Sequence, residues 1–227
     1  MPKILFEDNH CLAVNKPAGL LAQGDVTGEA SLIDWARADL KVRYQKPGNV
    51  YVGLVHRLDR TVSGVVLLAK TSKAAGRIST QFREGTVEKV YWAVVEGNCE
   101  EEGGEWVDTL WKDERRNVTR VVPKGTPGGQ EARMIVRVLE RGASTTTLEL
   151  RPITGRSHQL RIQLASRSLP ILGDRKYGAT SVVQALDGGH RIVLHARSLT
   201  FNHPTRTEAI SVIAPVLADW PVPNYRG

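Results

Sequence analysis

Residues 50–71, VYVGLVHRLDRTVSGVVLLAKT, constrain this chain more than any other stretch. Val65, Val66, Leu67, Leu68 and Ala69 form a short, apolar, β-branched run, as in a buried strand. Val50, Val52, Leu54 and Val55 make an apolar run ahead of it, and Ser63-Gly64 punctuates the chain between the two. Between these runs lies His56-Arg57-Leu58-Asp59-Arg60, one carboxylate among two guanidiniums and an imidazole. Core on both sides predicts that Asp59 is held rigidly on a loop or strand end, where chemistry is commonly placed. The competing reading is an ion pair that ties down a loop, because structural ion pairs outnumber catalytic ones.

The flanking sequence predicts an α+β fold. Residues 3–6 and 11–15 read as short strands around a polar turn. Ser31 can cap a helix, with Asp34 three residues on as a capping-box partner. Leu32, Trp35, Ala36 and Leu40 follow at helical spacing, which predicts core packing for Trp35. Ser72 is a second N-cap, for a helix to about Arg83 with Gly85 as its stop. Residues 87–96, 106–110, 118–122, 133–139 and 145–150 have strand character, the last two as an antiparallel pair around Arg141-Gly142. Thr154 or Ser157 can cap a helix that carries Leu160 and Leu164 on one face, with Arg156 and Arg161 at or near its start. There are no repeats and no evident linker, so one domain over 1–227 is expected.

Charge adds a partner class. The net charge is +7 over 227 residues. Residues 151–206 hold nine Lys or Arg against two Asp or Glu, while the remainder carries 22 of each sign. The whole excess lies in one segment, as expected of a surface that meets phosphates. Cys11 and Cys99 are too few for a disulfide framework or a zinc site and read as buried thiols. The N-terminal sequence lacks the pattern of a signal peptide, and no apolar run reaches the ~18 residues of a membrane span. A cytoplasmic protein without a membrane partner is expected.

HRLDRTVSGVVLLAKT resembles the signature of the RluA-type pseudouridine synthases: HRLD, a few variable residues, SG, then an apolar strand ending AK. Val62 stands where that family usually has Thr. Asn15-Lys16-Pro17-Ala18-Gly19-Leu20 resembles the family's first motif. Lys89-Val90-Tyr91-Trp92-Ala93 resembles its second, and TGRSHQLR, residues 154–161, its third. Residues 173–178, 195–199 and 203–204 also fit, so the resemblance runs from about Asn15 to Pro204. It implies a mixed, mainly antiparallel sheet with flanking helices and a central basic cleft. It also implies Asp59 as catalytic nucleophile, Arg161 as its ion-pair partner and Tyr91 beside the uridine ring. Arg57 is assigned to the space left by a flipped base, with Arg156 and Leu160 as further substrate-binding positions. Some relatives carry a small S4-like RNA-binding domain ahead of the first motif, and none is expected here.

The implied reaction breaks the N1–C1′ bond of a uridine in RNA, turns the base and rejoins it through C5. It is redox-neutral and breaks no phosphate bond, so no cofactor and no metal are expected. The sequence has no P-loop, no strand-linked G-x-G-x-x-G and no C-x-x-C. A carboxylate is a nucleophile only while ionised, and a neighbouring guanidinium favours that state. The expected protein is a monomeric isomerase acting on rRNA or tRNA. A non-catalytic RNA-binding protein is the alternative, for which basic charge suffices. A glycosidase is a third reading, but no second acid accompanies Asp59 within its motif.

Overall fold

The computed structural model describes residues 1–26, 28–184, 190–216 and 220–221. In chain order the elements are β1 (Lys3–Glu7), β2 (Cys11–Lys16), α1 (Leu32–Arg43), β3 (Gly53–Leu54), β4 (Ser63–Ala69), α2 (Ser72–Glu84) and β5 (Glu88–Glu96). There follow β6 (Gly103–Asp113), β7 (Val118–Val122), β8 (Gln130–Arg141), β9 (Thr145–Pro152) and α3 (Gln159–Ala165). A 3-10 turn (Arg175–Tyr177), β10 (Val183–Gln184), β11 (His190–Arg191), β12 (Leu194–Asn202) and β13 (Ala209–Ile213) complete the series. The class is α+β, as the sequence predicts. None of these helices is long and apolar enough to cross a membrane. The chain forms two compact units, Met1–Glu88 with Ala196–Gly227, and Lys89–His195.

In the first unit the strand order is β1-β2-β4-β12, with β3 on β4 and β13 on β12. The pairs β1–β2, β2–β4, β3–β4 and β12–β13 are antiparallel. Both β2 and β4 are buried along their whole length, which explains the apolar runs 11–14 and 65–69 within them. Ser63-Gly64 opens β4 rather than preceding it. Gly64 has φ 117°, and a Cβ there would lie 2.3 Å from the Ala196 carbonyl oxygen, so glycine allows two backbones to approach. Of the apolar run ahead of His56, only Gly53–Leu54 is strand.

The helices of this unit are fixed by their caps. Ser31 and Asp34 form the capping box that the sequence predicts: Asp34 N–H donates to Ser31 Oγ, and Ser31 N–H donates to Asp34 Oδ2. At α2 the cap is Thr71, not Ser72: Thr71 is extended and its hydroxyl accepts from Ala74 N–H, while Ser72 is already helical. Gly85 ends α2 at φ 74°, the left-handed conformation glycine adopts most readily. Ala74 and Ile78 of α2 pack into a core of Cys11, Ala13, Val65, Leu67, Leu199 and Phe201.

The second unit carries the order β5-β9-β8-β6-β7, with antiparallel pairs throughout, and a separate β10-β11 pair. Trp106, Leu110, Met134, Val136, Leu148, Leu150 and Leu164 are buried. Neither Thr154 nor Ser157 caps α3. Its N-cap is His158 at φ 52°, with no side-chain cap bond. The Thr154 hydroxyl is used elsewhere, donating to Gln159 Oε1 and accepting from Arg133 N–H. Both cysteines are free and buried. Burial pushes the Cys11 thiol up to about 12.

Candidate active site

In the first unit the HRLD segment alternates in burial, and each residue takes a different task. His56 Nε2 accepts from Leu67 N–H at 2.9 Å, and its ring stacks on Phe82 at 4.5 Å between centroids. The imidazole therefore anchors the loop to β4 and α2. Leu58 is buried. Asp59 lies half-buried between them, and its carbonyl accepts from Val62 N–H. Arg57 is exposed, and among the described residues its side chain has no hydrogen-bond or ion-pair partner.

Lys16 supports this loop, a role that its place in the sequence does not announce. It ends β2 directly opposite Gly64. Its side chain is wholly buried, and Nζ donates to the carbonyls of Pro17, Leu20 and Arg60 at 2.9, 2.9 and 3.3 Å. Burial pulls its pKa down to about 7, against the opposing pull of the nearby Asp59 charge. The Gly19 N–H donates to Arg60 O, and Arg60 Nε donates back to Gly19 O. Gly19 has φ 90°, which the turn requires. The NKPAGL turn is thus stitched to the residue that follows Asp59, through a buried lysine and two reciprocal hydrogen bonds. Arg60 itself is held by a bidentate pair with Glu29, so of the two HRLDR arginines only Arg57 projects freely.

In the second unit, Tyr91 lies half-buried on β5 opposite Leu150 of β9. Arg161 lies on α3 and is buried. Its Nε and Nη2 donate to Asp174 Oδ2 and Oδ1 at 2.7 and 2.8 Å, a side-on bidentate pair with a carboxylate that is 1% exposed. The Tyr177 ring lies 5.0 Å from the guanidinium. Tyr177 Oη accepts from Thr119 N–H at 2.9 Å and meets His158 Nδ1 at 2.7 Å. The hydroxyl thus links β7 to the residue that opens α3. Three elements therefore converge on Arg161: the start of α3, the turn after Gly173, and β7.

Two further predicted residues have more structural surroundings than the sequence implies. Arg156 is exposed, but its Nε donates to the Glu131 carbonyl and its N–H to Gln159 Oε1. Leu160 is buried at 8% exposure. Gln159 acts as a latch on this loop, binding Thr154, Arg156 and the Arg133 carbonyl.

The charge of residues 151–206 is only partly available to a ligand. Arg151 pairs with Glu149, Arg161 with Asp174, Arg167 with Asp108, and Arg206 with Asp8 and Glu208. Arg191 is fully buried. Arg156, Arg175 and Lys176 remain exposed. Asp8, Cys11 and His203 are close enough to suggest metal ligands. Yet Asp8 Oδ1 accepts from the N–H groups of His10 and Cys11, and Oδ2 is taken by His203 Nε2 and Arg206. The arrangement is a closed ion pair over a turn.

The sequence pattern of the RNA pseudouridylate synthase family matches residues 10–166. The ribosomal large subunit pseudouridine synthase C of Vibrio cholerae is 36% identical over 217 residues, 95% of this chain and 66% of that protein. The dual-specificity RNA pseudouridine synthase RluA of Vibrio parahaemolyticus is 36% identical over 93% of this chain and 82% of its own length. Among solved structures, human RNA pseudouridylate synthase domain containing 4 superposes with a TM-score of 0.78 at 26% identity, covering 96% of this chain and 89% of that one. The chain thus spans just under two thirds of the length of the synthase C relatives. The four motif stretches lie in the order the resemblance requires, on a fold shared with these proteins, and the chain belongs to the RNA pseudouridylate synthase family, of the RluA type.

Proposed function

We propose that this protein converts uridine to pseudouridine within structured RNA, rRNA or tRNA, with Asp59 as the nucleophile. The observation that carries the reading is the build of the HRLD loop. Asp59 sits half-buried in a loop pinned by His56 on one side and by the Lys16-held turn on the other. Such bracing holds a reacting group in one geometry. In this reading Asp59, Tyr91 and Arg161 act on the same uridine. Asp174 holds the Nε and Nη2 edge of the guanidinium and so fixes its plane. Arg161 supplies a fixed positive charge for the reaction, and Tyr91 stacks on the base.

The reaction balances without an added reagent. The N1–C1′ bond breaks and a C5–C1′ bond forms. The proton leaves C5, and N1 regains one. The uridine must leave its stack first, at a cost of a few kcal/mol. Arg57, exposed beside Asp59, fills the gap. Arg156 and Leu160 line the substrate side of the third motif, and Arg156, Arg175 and Lys176 meet the RNA backbone. The enzyme works as a monomer in the cytoplasm, without metal or cofactor.

The test is pseudouridine mapping in total RNA from cells with and without this protein, followed by the same assay with purified protein. Sites that vanish in its absence and return with wild-type protein support the reading. RNA binding with no pseudouridine formed would leave the non-catalytic alternative.

A further inference from the structure

A groove of about 710 Å³ opens on the first unit, away from the HRLD loop. One wall is a single face of α1: Asp34, Arg37, Ala38 and Lys41, spaced as neighbours on a helix surface. The other is the segment leading into β3: Gly48, Asn49, Val50 and Tyr51. The volume lies within the ~300–1,000 Å³ typical of ligand sites.

The chemistry of the walls is selective. Asp34 is occupied at the helix start, where its carboxylate accepts from Ser31 N–H and Oγ. Arg37 and Lys41 are exposed further along the face, and Arg37 makes only a 3.8 Å contact with Asp34. Among the described residues Lys41 and Asn49 have no side-chain partner. Tyr51 is 48% exposed, yet its ring is not loose: Oη and Cε1 lie 2.8 and 3.2 Å from where a Gly53 Cβ would stand. The absence of a Cβ at Gly53 lets the ring rest there. A cation, an amide and a held aromatic ring in one groove are the elements that bind single-stranded nucleic acid, through phosphate, base edge and base face respectively.

We propose that this groove holds a single-stranded RNA segment flanking the target uridine, with Lys41 and Arg37 on phosphates and a base stacked on Tyr51. The placement beside the target rests on the function proposed above. Gly53 pairs with Ala69 at the far end of β4 from Ser63. At ~3.3 Å per residue the groove therefore lies about 20 Å along the strand from the HRLD end. It is a site for flanking RNA, separate from the reacting base.

Fluorescence anisotropy with a labelled short oligouridylate tests this. Tyr51→Ala should weaken binding by about fivefold or more, the loss of one stacked base. Tyr51→Phe should bind like wild type. Lys41→Ala, on a fully solvated helix face that cannot disturb folding, should lower the slope of log K against log salt by about one. Affinity and salt slope unchanged in both Tyr51→Ala and Lys41→Ala would overturn the proposal. Should the wild-type protein form no pseudouridine while both losses appear, the RNA groove stands and the catalytic reading falls.

Discussion

Arg161 and Asp174 form a buried, side-on bidentate pair, 2.7 and 2.8 Å long, between α3 and the turn after Gly173. The pair fixes the plane of the guanidinium. Gly173 has φ 82°, and a Cβ there would come within 2.5 Å of the Arg191 carbonyl oxygen, so the turn is itself locked.

Breaking one side of such a pair strands the other in a dry site. Arg161→Ala and Asp174→Ala should each lower stability by about 3–5 kcal/mol. Arg161→Lys should recover part of this only, because an ammonium lacks the fork. Urea unfolding of the three variants is the check, and wild-type midpoints would contradict it.

Lys16 gives a pH-dependent stability signature. Its pKa falls from 10.5 in the ordinary state to about 7 in the fold, chiefly through burial. Between those values the unfolded chain binds a proton that the folded chain does not, so stability rises with pH from about 7 to about 10.5. Below 7 both states carry the proton and the cost is constant. Lys16→Met should remove this rise, by a few kcal/mol across the window. Parallel stability curves for the two proteins between pH 7 and 10 would refute the assignment.

Gly64→Ala should cost about 2–4 kcal/mol, from left-handed strain and overpacking against Ala196. Thermal unfolding reads this directly. A variant as stable as wild type would mean that β4 and β12 can separate without loss.

Much of the local architecture was legible because its causes are local. Ser31 and Asp34 stand three apart, and Gly85 follows a helical run, so caps could be read from spacing. The buried strand after HRLD announced itself by β-branched composition. The α3 cap was not legible: a left-handed His158 needs no capping side chain, and Thr154 serves Gln159 instead. Asp174 was quoted within a motif but had no role, since nothing in a pattern ties a turn to a helix 13 residues earlier. Burial of Lys16 was equally hidden. A lysine at a strand end reads as solvated unless three carbonyls are known to surround it. The basic segment misled in part, because composition counts charges without showing which are already paired.

Arg57→Ala separates a space-filling role from a purely electrostatic one. If the guanidinium replaces the flipped uridine, turnover should fall more on structured RNA than on an unstructured oligonucleotide, where there is no stack to repair. Equal losses on both would assign Arg57 to charge alone.

The central claim is that Asp59 attacks the nucleotide, and the most direct measurement is pseudouridine formation by Asp59→Asn. The substitution keeps shape and hydrogen bonding but removes the nucleophile. The account predicts an RNA-binding protein, folded and with affinity near wild type, that forms no pseudouridine. An Asp59→Asn protein that still converts uridine to pseudouridine would contradict it.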